Sequence, residues 1–387
     1  MMRMTSELAY RQLYDKTGDG QFFREPKTST GIIDYPLSPC LLDQRVTITP
    51  EADLLGACFL RLTFAEDAPF AVSGTLSVYR HVERIVYLIG GKVIEDFSGR
   101  ALEALATYDP RACASVEGQT VVYPLCLCTS ASTHSFLPLS DLSEVTIRVV
   151  LSAESCINRI AKVVLHVQHV LLPPLGPQGS QGPQGSQERE KVDTPPPDLR
   201  VFPKTSCSMP VRTLDDGIAC TAAMDLSPWL RGVAVRDLVV LLEPVAAGCS
   251  SSSSSISSSS ISPLVDVALS FGVVEVNRMD AVMMGKVVPR HSYGAAPSAA
   301  DSSPLAYFMP FDATPIAETC ASFLRMPSED RPTVLRLTLR APPGQRGARY
   351  VAHVIVRTAN VLRTDAAGTA LALQTFGKSL IKRESEC

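Results

Sequence analysis

The chain has 387 residues, of which 45% are apolar and 19% charged, and its formal net charge is -3. That is an ordinary soluble composition, with length for two or three domains that each bury a core. The charge is spread without long runs, and the one basic cluster, Lys378 with Lys382 and Arg383, lies in a short polar tail, so direct binding of nucleic acid is not expected.

No apolar run is long enough to cross a bilayer, and the stretch from Met1 to Gly20 lacks the apolar core of a signal peptide, so the chain reads as a soluble protein made in the cytoplasm. The 11 cysteines are scattered over the whole chain and odd in number, which argues for reduced, mostly buried thiols rather than a disulfide framework. Cys113, Cys126, Cys128 and His134 come nearest to a metal cluster. On a strand, a Cys-Leu-Cys spacing separates the two thiols by roughly 6.6 Å of backbone rise, poor geometry for tetrahedral zinc. No metal is expected there.

In chain order, the first plausible element is a helix from Thr5 to Tyr14, followed by Gly-rich polar sequence around Lys16, which reads as an arm rather than a core segment. Strands begin after it. Arg45 to Thr49 and Cys58 to Phe64 alternate apolar with polar residues, and Glu51-Ala52-Asp53 gives a polar break between them. Ile85 to Ile89 is a β-branched and aromatic run, Gly90-Gly91 can supply the positive φ angles of a two-residue turn, and Lys92 to Phe97 alternates again, which predicts a hairpin. Ser98 then stands where an N-cap would. Leu102, Leu105 and Ala106 share one helical face, and Pro110 stops the helix just after Asp109. Further strands are expected at Thr120 to Cys128, Leu142 to Leu151 and Ile160 to Leu172. Short strands at this spacing, with little helix between them, describe a sandwich or barrel.

Pro173 to Pro197 is a linker by composition. Glycine falls at every third position from Gly176 to Gly185, the collagen period, but the run is far too short for a stable triple helix. The strand pattern resumes with Val201, then Val233 to Pro244, Val265 to Val276, Leu305 to Pro310, Thr333 to Ala341 and Arg349 to Thr358. Ser250 to Ser262, almost pure serine, cannot pack a core and reads as a solvent loop.

No catalytic constellation is present: no nucleophile elbow, phosphate-cradling glycine loop or paired histidines on one helix. His166 and His169 fall on opposite faces of their strand and cannot grip one ion without a bulge. Trp229, the only tryptophan, reads as a packing anchor. The chain is therefore not expected to be an enzyme, and no catalytic, cofactor-binding or metal-ligating residue is assigned.

The hairpin and its surrounding strands resemble the major capsid proteins of nucleocytoplasmic large DNA viruses. Leu88 to Ile94, with the helix after it, is similar to that family's Ile-Gly-Gly hairpin and short helix. Gln21-Phe22-Phe23 resembles the Thr-Phe-Phe entry to its first strand, and Ala52 to Leu55 its Gly-Asp-Leu-Leu turn. Leu137-Pro138-Leu139 with Glu144 to Ile147 resembles a Leu-Pro-Leu segment and the next strand, and Val233 to Pro244 a later strand. Thr319 to Met326 is similar to the Gly-Thr-Cys-Asn-Phe-Ser-Arg segment, and Asn360-Val361-Leu362-Arg363, then Gly368 and Leu371, to the closing strand and its exit. The chain departs from the pattern at Val276-Asn277-Arg278, where the family usually has Asn-Gly, and at Ala359, where it has an aromatic residue.

The resemblance implies an all-β chain of two consecutive eight-stranded antiparallel jelly rolls with short helices in loops. Its divisions would be an arm at 1–31, a first jelly roll at 32–172, a Pro/Gly/Gln-rich linker at 173–199, a second jelly roll at 200–373 and a polar tail at 374–387. It also implies a structural capsid protein of a large double-stranded DNA virus, whose homotrimers form pseudo-hexagonal capsomers that tile an icosahedral shell. Its partners would be itself and neighbouring capsomers, with minor capsid proteins and the inner viral membrane as further candidates. Its place would be the virion, after synthesis in a cytoplasmic viral factory. A transient scaffold of the poxvirus type and a non-viral jelly-roll binding module are the alternatives.

Overall fold

The structure is a computed structural model that describes residues 29–49, 52–66, 78–109, 112–125, 137–139, 142, 144–153, 160–171, 199–201, 204–214, 218–245, 263–289, 305–311, 324–327, 331–341, 347–364 and 370–375. The expected helix from Thr5 to Tyr14, the glycine repeat from Gly176 to Gly185 and the serine tract lie outside the described residues, as do most of the expected arm, linker and tail.

The first half has eight principal strands: β1 (Ser29–Leu37), β2 (Asp43–Ile48), β3 (Leu54–Phe64), β4 (Val82–Ile89), β5 (Lys92–Ser98), β6 (Thr120–Leu125), β7 (Val145–Leu151) and β8 (Ile160–Leu171). They form two antiparallel sheets, ordered β1-β8-β3-β6 and β2-β7-β4-β5. The second half has eight more: β9 (Lys204–Arg212), β10 (Cys220–Asp225), β11 (Ala234–Pro244), β12 (Leu264–Phe271), β13 (Val274–Asp280), β14 (Leu305–Pro310), β15 (Thr333–Leu339) and β16 (Arg349–Thr364). Their sheets are ordered β9-β16-β11-β14 and β10-β15-β12-β13. Each strand of the second half occupies the place of its counterpart eight numbers earlier. The fold is all-β, two consecutive jelly rolls, as the sequence implied. Short strands at Leu199–Val201 and Ala370–Thr375 extend the far end of β16.

The period-two patterns are the cause of the layering. β6, β7 and β15 alternate buried with less buried positions along their length, so one row of side chains faces the sandwich interior. Leu60, Leu62, Tyr87, Tyr123, Ile147 and Leu165 fill the first interior, and Leu238, Val240, Val267, Leu337 and Val354 the second. The hairpin between β4 and β5 turns on Gly90 and Gly91, with φ of 54° and 78°, the left-handed region that a side chain disfavours.

Three local expectations are corrected. Val265 to Val276 is not one strand: Gly272, at φ 60°, turns the chain between β12 and β13. The apolar residues on both sides of that turn hid it. β9 and β10, whose serines, threonine, alanines and Pro210 give weak strand signals, were not expected. Among the described residues β9 pairs with β16 alone, and an edge position of this kind tolerates a proline. Trp229 does not anchor packing; it is 47% exposed, and its helical-turn neighbours Leu226 and Leu230 are the buried ones.

Thiol chemistry follows from the packing. Cys58 faces the first core, and burial pushes its thiol up to about 12, whereas Cys40 is exposed. Because the thiolate is the nucleophile, maleimide at pH 8 should label Cys40 in the native protein and spare Cys58 until denaturant is added. Peptide mass mapping of pulse-labelled protein checks this, and equal native labelling of the two would contradict the buried placement.

Candidate functional site

The described residues hold no group of three or more His, Cys, Asp or Glu side chains arranged to take a metal ion. The chemistry the structure concentrates is instead at the seam between the two jelly rolls. β11 is buried on both faces along most of its length. Leu238, Val240 and Leu242 belong to the second core, while Val239 and Leu241 belong to the first. The strand is thus the wall of one sandwich and the floor of the other, which is why it reads as a nearly continuous apolar run.

Helix α1 (Gly99–Ala106) is the first half's contribution. Ser98 ends β5 and caps the helix, its side chain accepting from the Ala101 amide at 3.2 Å. Gly99 lies so close to the start of β4 that a Cβ there would stand 2.0 Å from the Val82 carbonyl oxygen. Helix α1 packs on β11 and β16, and Ala101, Leu102 and Ala104 share one apolar cluster with Val239, Leu241, Ala306, Phe308 and Ile355. Just past the helix, the Tyr108 ring lies 5.6 Å from that of Phe308, and its hydroxyl donates to the Ala306 carbonyl. Burial holds the Tyr108 hydroxyl well above the usual phenol range, so it stays a donor.

Polar groups close the apolar seam at both ends. At one, Glu243 accepts from Arg80 at 3.2 Å and from Arg100, while His353 Nε2 lies 3.1 Å from its second oxygen. Arg100 also holds Glu103 at 2.8 Å. At the other end, Arg357 donates two hydrogen bonds to Asp237, at 2.7 and 2.6 Å, and the Asp237 side chain is fully buried. Asp237, Val239, Leu241 and Glu243 alternate along β11 on one side, so a single strand face carries carboxylates at its ends and aliphatic groups between. Apolar burial supplies attraction across such a seam. Arg80 and Arg100 carry charge across it to Glu243, whereas Asp237 and Arg357 are ladder partners within the second sandwich.

His166 and His169, weighed in the sequence as a metal pair, are not brought together. A register shift does occur between Val167 and His169, yet His166 Nδ1 meets Asp34 at 2.6 Å near the surface and His169 is buried. Cys113 is exposed, and Cys126, Cys128 and His134 lie outside the described residues. Asp237 and Glu243, which the sequence reading passed over, carried one signal: two carboxylates of the same parity inside a run apolar on both faces.

The sequence matches no protein-family model and no curated protein. Its structure does match solved ones. VP54 of PBCV-1 is 12% identical, with 90% of this chain and 97% of that one covered and a TM-score of 0.65. The Faustovirus major capsid protein is 9% identical, with coverage of 90% and 92% and a TM-score of 0.57. The mavirus major capsid protein is 10% identical, with coverage of 99% and 98% and a TM-score of 0.51. The likeness is one of fold, and it runs the length of both chains: this is the double jelly roll found in viral major capsid proteins.

Proposed function

We propose that the chain is a structural capsid protein of a large double-stranded DNA virus and that it works as a trimer, a pseudo-hexagonal block that tiles an icosahedral shell. The observation that supports this most is the duplication itself. Two sandwiches of identical strand order pack against each other along a shared seam. Three such chains present six similar walls, which a flat hexagonal lattice requires, and a cyclic contact repeated three times closes the block. The division proposed is an arm at 1–31, jelly rolls at 32–172 and 200–373 with a linker between them, and a tail at 374–387. The protein would reside in the virion after synthesis in a cytoplasmic factory, contacting neighbouring blocks, minor capsid proteins and the inner membrane. It needs no catalytic residue.

Light scattering on purified chain tests this reading. A species of three times the 41.6 kDa chain mass is expected at micromolar concentration. It should persist in moderate salt, because apolar burial is little screened. The chain should also be among the strongest bands of purified particles. A trimer absent from particles would assign it to a discarded scaffold, and a monomer at every accessible concentration would overturn both readings and leave a binding module.

A further inference from the structure

Resting on the proposed contact with an inner membrane, we infer that the chain touches lipid directly, through the end of the second jelly roll where the β12-β13 turn and the helical turn Ser227–Leu230 stand side by side. Val273, at the apex of the first turn, is 100% exposed, and Val274 beside it 56%. Trp229 is half-exposed on the second turn. Pro332 and Thr333 join the two. The Gly272 amide donates to the Pro332 carbonyl at 2.8 Å, the Thr333 amide to Ser227 Oγ at 2.8 Å, and the Leu226 amide to the Thr333 carbonyl at 2.7 Å. Pro228 and Pro332 are exposed as well, so this end is one apolar surface of valine, tryptophan and proline side chains. Folding does not ask for it. Phe271 and Leu230 pack with the second core, whereas two-residue turns ordinarily carry glycine or a small polar residue where Val273 stands.

Shape and charge select the occupant. Two projecting turns make a convex surface with no charge at its apex, and aliphatic side chains beside an indole match the boundary between lipid headgroups and acyl chains. The rim carries both signs: the Arg231 charge acts on Asp225, Arg278 lies 3.9 Å from Glu275, and Arg331 follows Glu329 and Asp330 in the chain. Anionic lipid therefore gains little advantage over neutral lipid. The first roll points the same way. β11 runs from Ala234, just past the helical turn, to Glu243, where Arg80 and Arg100 from the open end of the first hairpin meet it, and β5 runs beside β9. The Gly90-Gly91 turn thus lies towards the same end as Val273 and brings Val93, also exposed. A cyclic trimer holds its three copies of this end at one height on its axis, so a flat bilayer meets all of them and contacts that are weak singly add up.

Trp229, the chain's one tryptophan, reports on the contact without a label. Titrating the full chain with phosphatidylcholine vesicles should shift its emission to the blue, and brominated acyl chains should quench it, equally in low and moderate salt, because apolar insertion is little screened. Val273→Asp should raise the lipid concentration at half-saturation by about tenfold or more, since a charge replaces the apical side chain. Its thermal melt should match the parent's, as Val273 packs against nothing it could lose. Ile218→Asp, at a position 61% exposed before the far end of β10, removes an apolar group from the opposite end of the same roll and should leave the titration unchanged. A trimer whose Trp229 ignores the vesicles, quenching that needs anionic lipid and fades in salt, or equal losses in the two variants would overturn the lipid contact and leave the capsid reading standing. Resistance of Trp229 to acrylamide in particles stripped of lipid would show that protein covers this end, and would overturn it as well. A chain that is monomeric throughout and absent from particles overturns the capsid reading through measurements that involve no lipid.

Discussion

Replacing Gly99 by alanine is expected to destabilise the first jelly roll by about 3 kcal/mol or more, at or beyond the upper end of ordinary overpacking, because the clash is with backbone. The new Cβ would lie 2.0 Å from the Val82 oxygen and 2.3 Å from that of Tyr79. Neither can retreat cheaply. The Tyr79 hydroxyl donates to the Ala112 carbonyl at 3.1 Å and accepts from the Ala114 amide at 2.7 Å, and its ring stands edge-on to Tyr123 at 5.7 Å. Val82 opens β4 and pairs with Leu151. The movement has to come from α1, which would lift from β11 and open the seam. Urea unfolding checks it, with Gly31→Ala as the control: a Cβ at Gly31 meets nothing within 4 Å, so its midpoint should stay within about 0.5 kcal/mol of the parent. A Gly99→Ala loss below 1 kcal/mol would mean that the helix does not approach β4 so closely.

That corner was legible in the sequence because its chemistry is local. Gly90-Gly91, the flanking alternation and the Ser98 cap each act within a few residues, and the structure has the hairpin and the helix where they were expected. The two-sandwich architecture was legible for a related reason, since period-two runs recur in both halves. β9 and β10 were not, because their stability comes from pairing with β16 and β15 rather than from side chains of strong strand preference.

The seam was illegible for the opposite cause. Arg80 and Arg100 meet Glu243 across more than a hundred positions of sequence, and Arg357 finds Asp237 across 120. No local pattern encodes such a partner. What the sequence did show at β11 was its excess of apolar residues, the mark of a strand with both faces covered. The covering element could be named only once the helix after β5 was seen lying on it.

The buried pair at the seam's other end should give the second large effect. Asp237→Ala or Arg357→Ala alone is expected to cost about 3–5 kcal/mol, because each leaves the other charge buried without the group that offsets its desolvation. The side chains are 0% and 10% exposed and joined by two hydrogen bonds, so neither ion can turn to solvent without unpacking the strands. The double variant Asp237→Leu with Arg357→Met should recover most of that loss, since two apolar groups of similar size remove both desolvation terms together. Arg84 and Asp96 provide the contrast: their pair is 51% and 33% exposed, and Arg84→Ala should cost less than about 1 kcal/mol. A double-mutant cycle on urea midpoints reads the coupling directly. Single losses below 1 kcal/mol at Asp237 and Arg357, or a double variant worse than either single, would show that the pair does not hold β11 to β16.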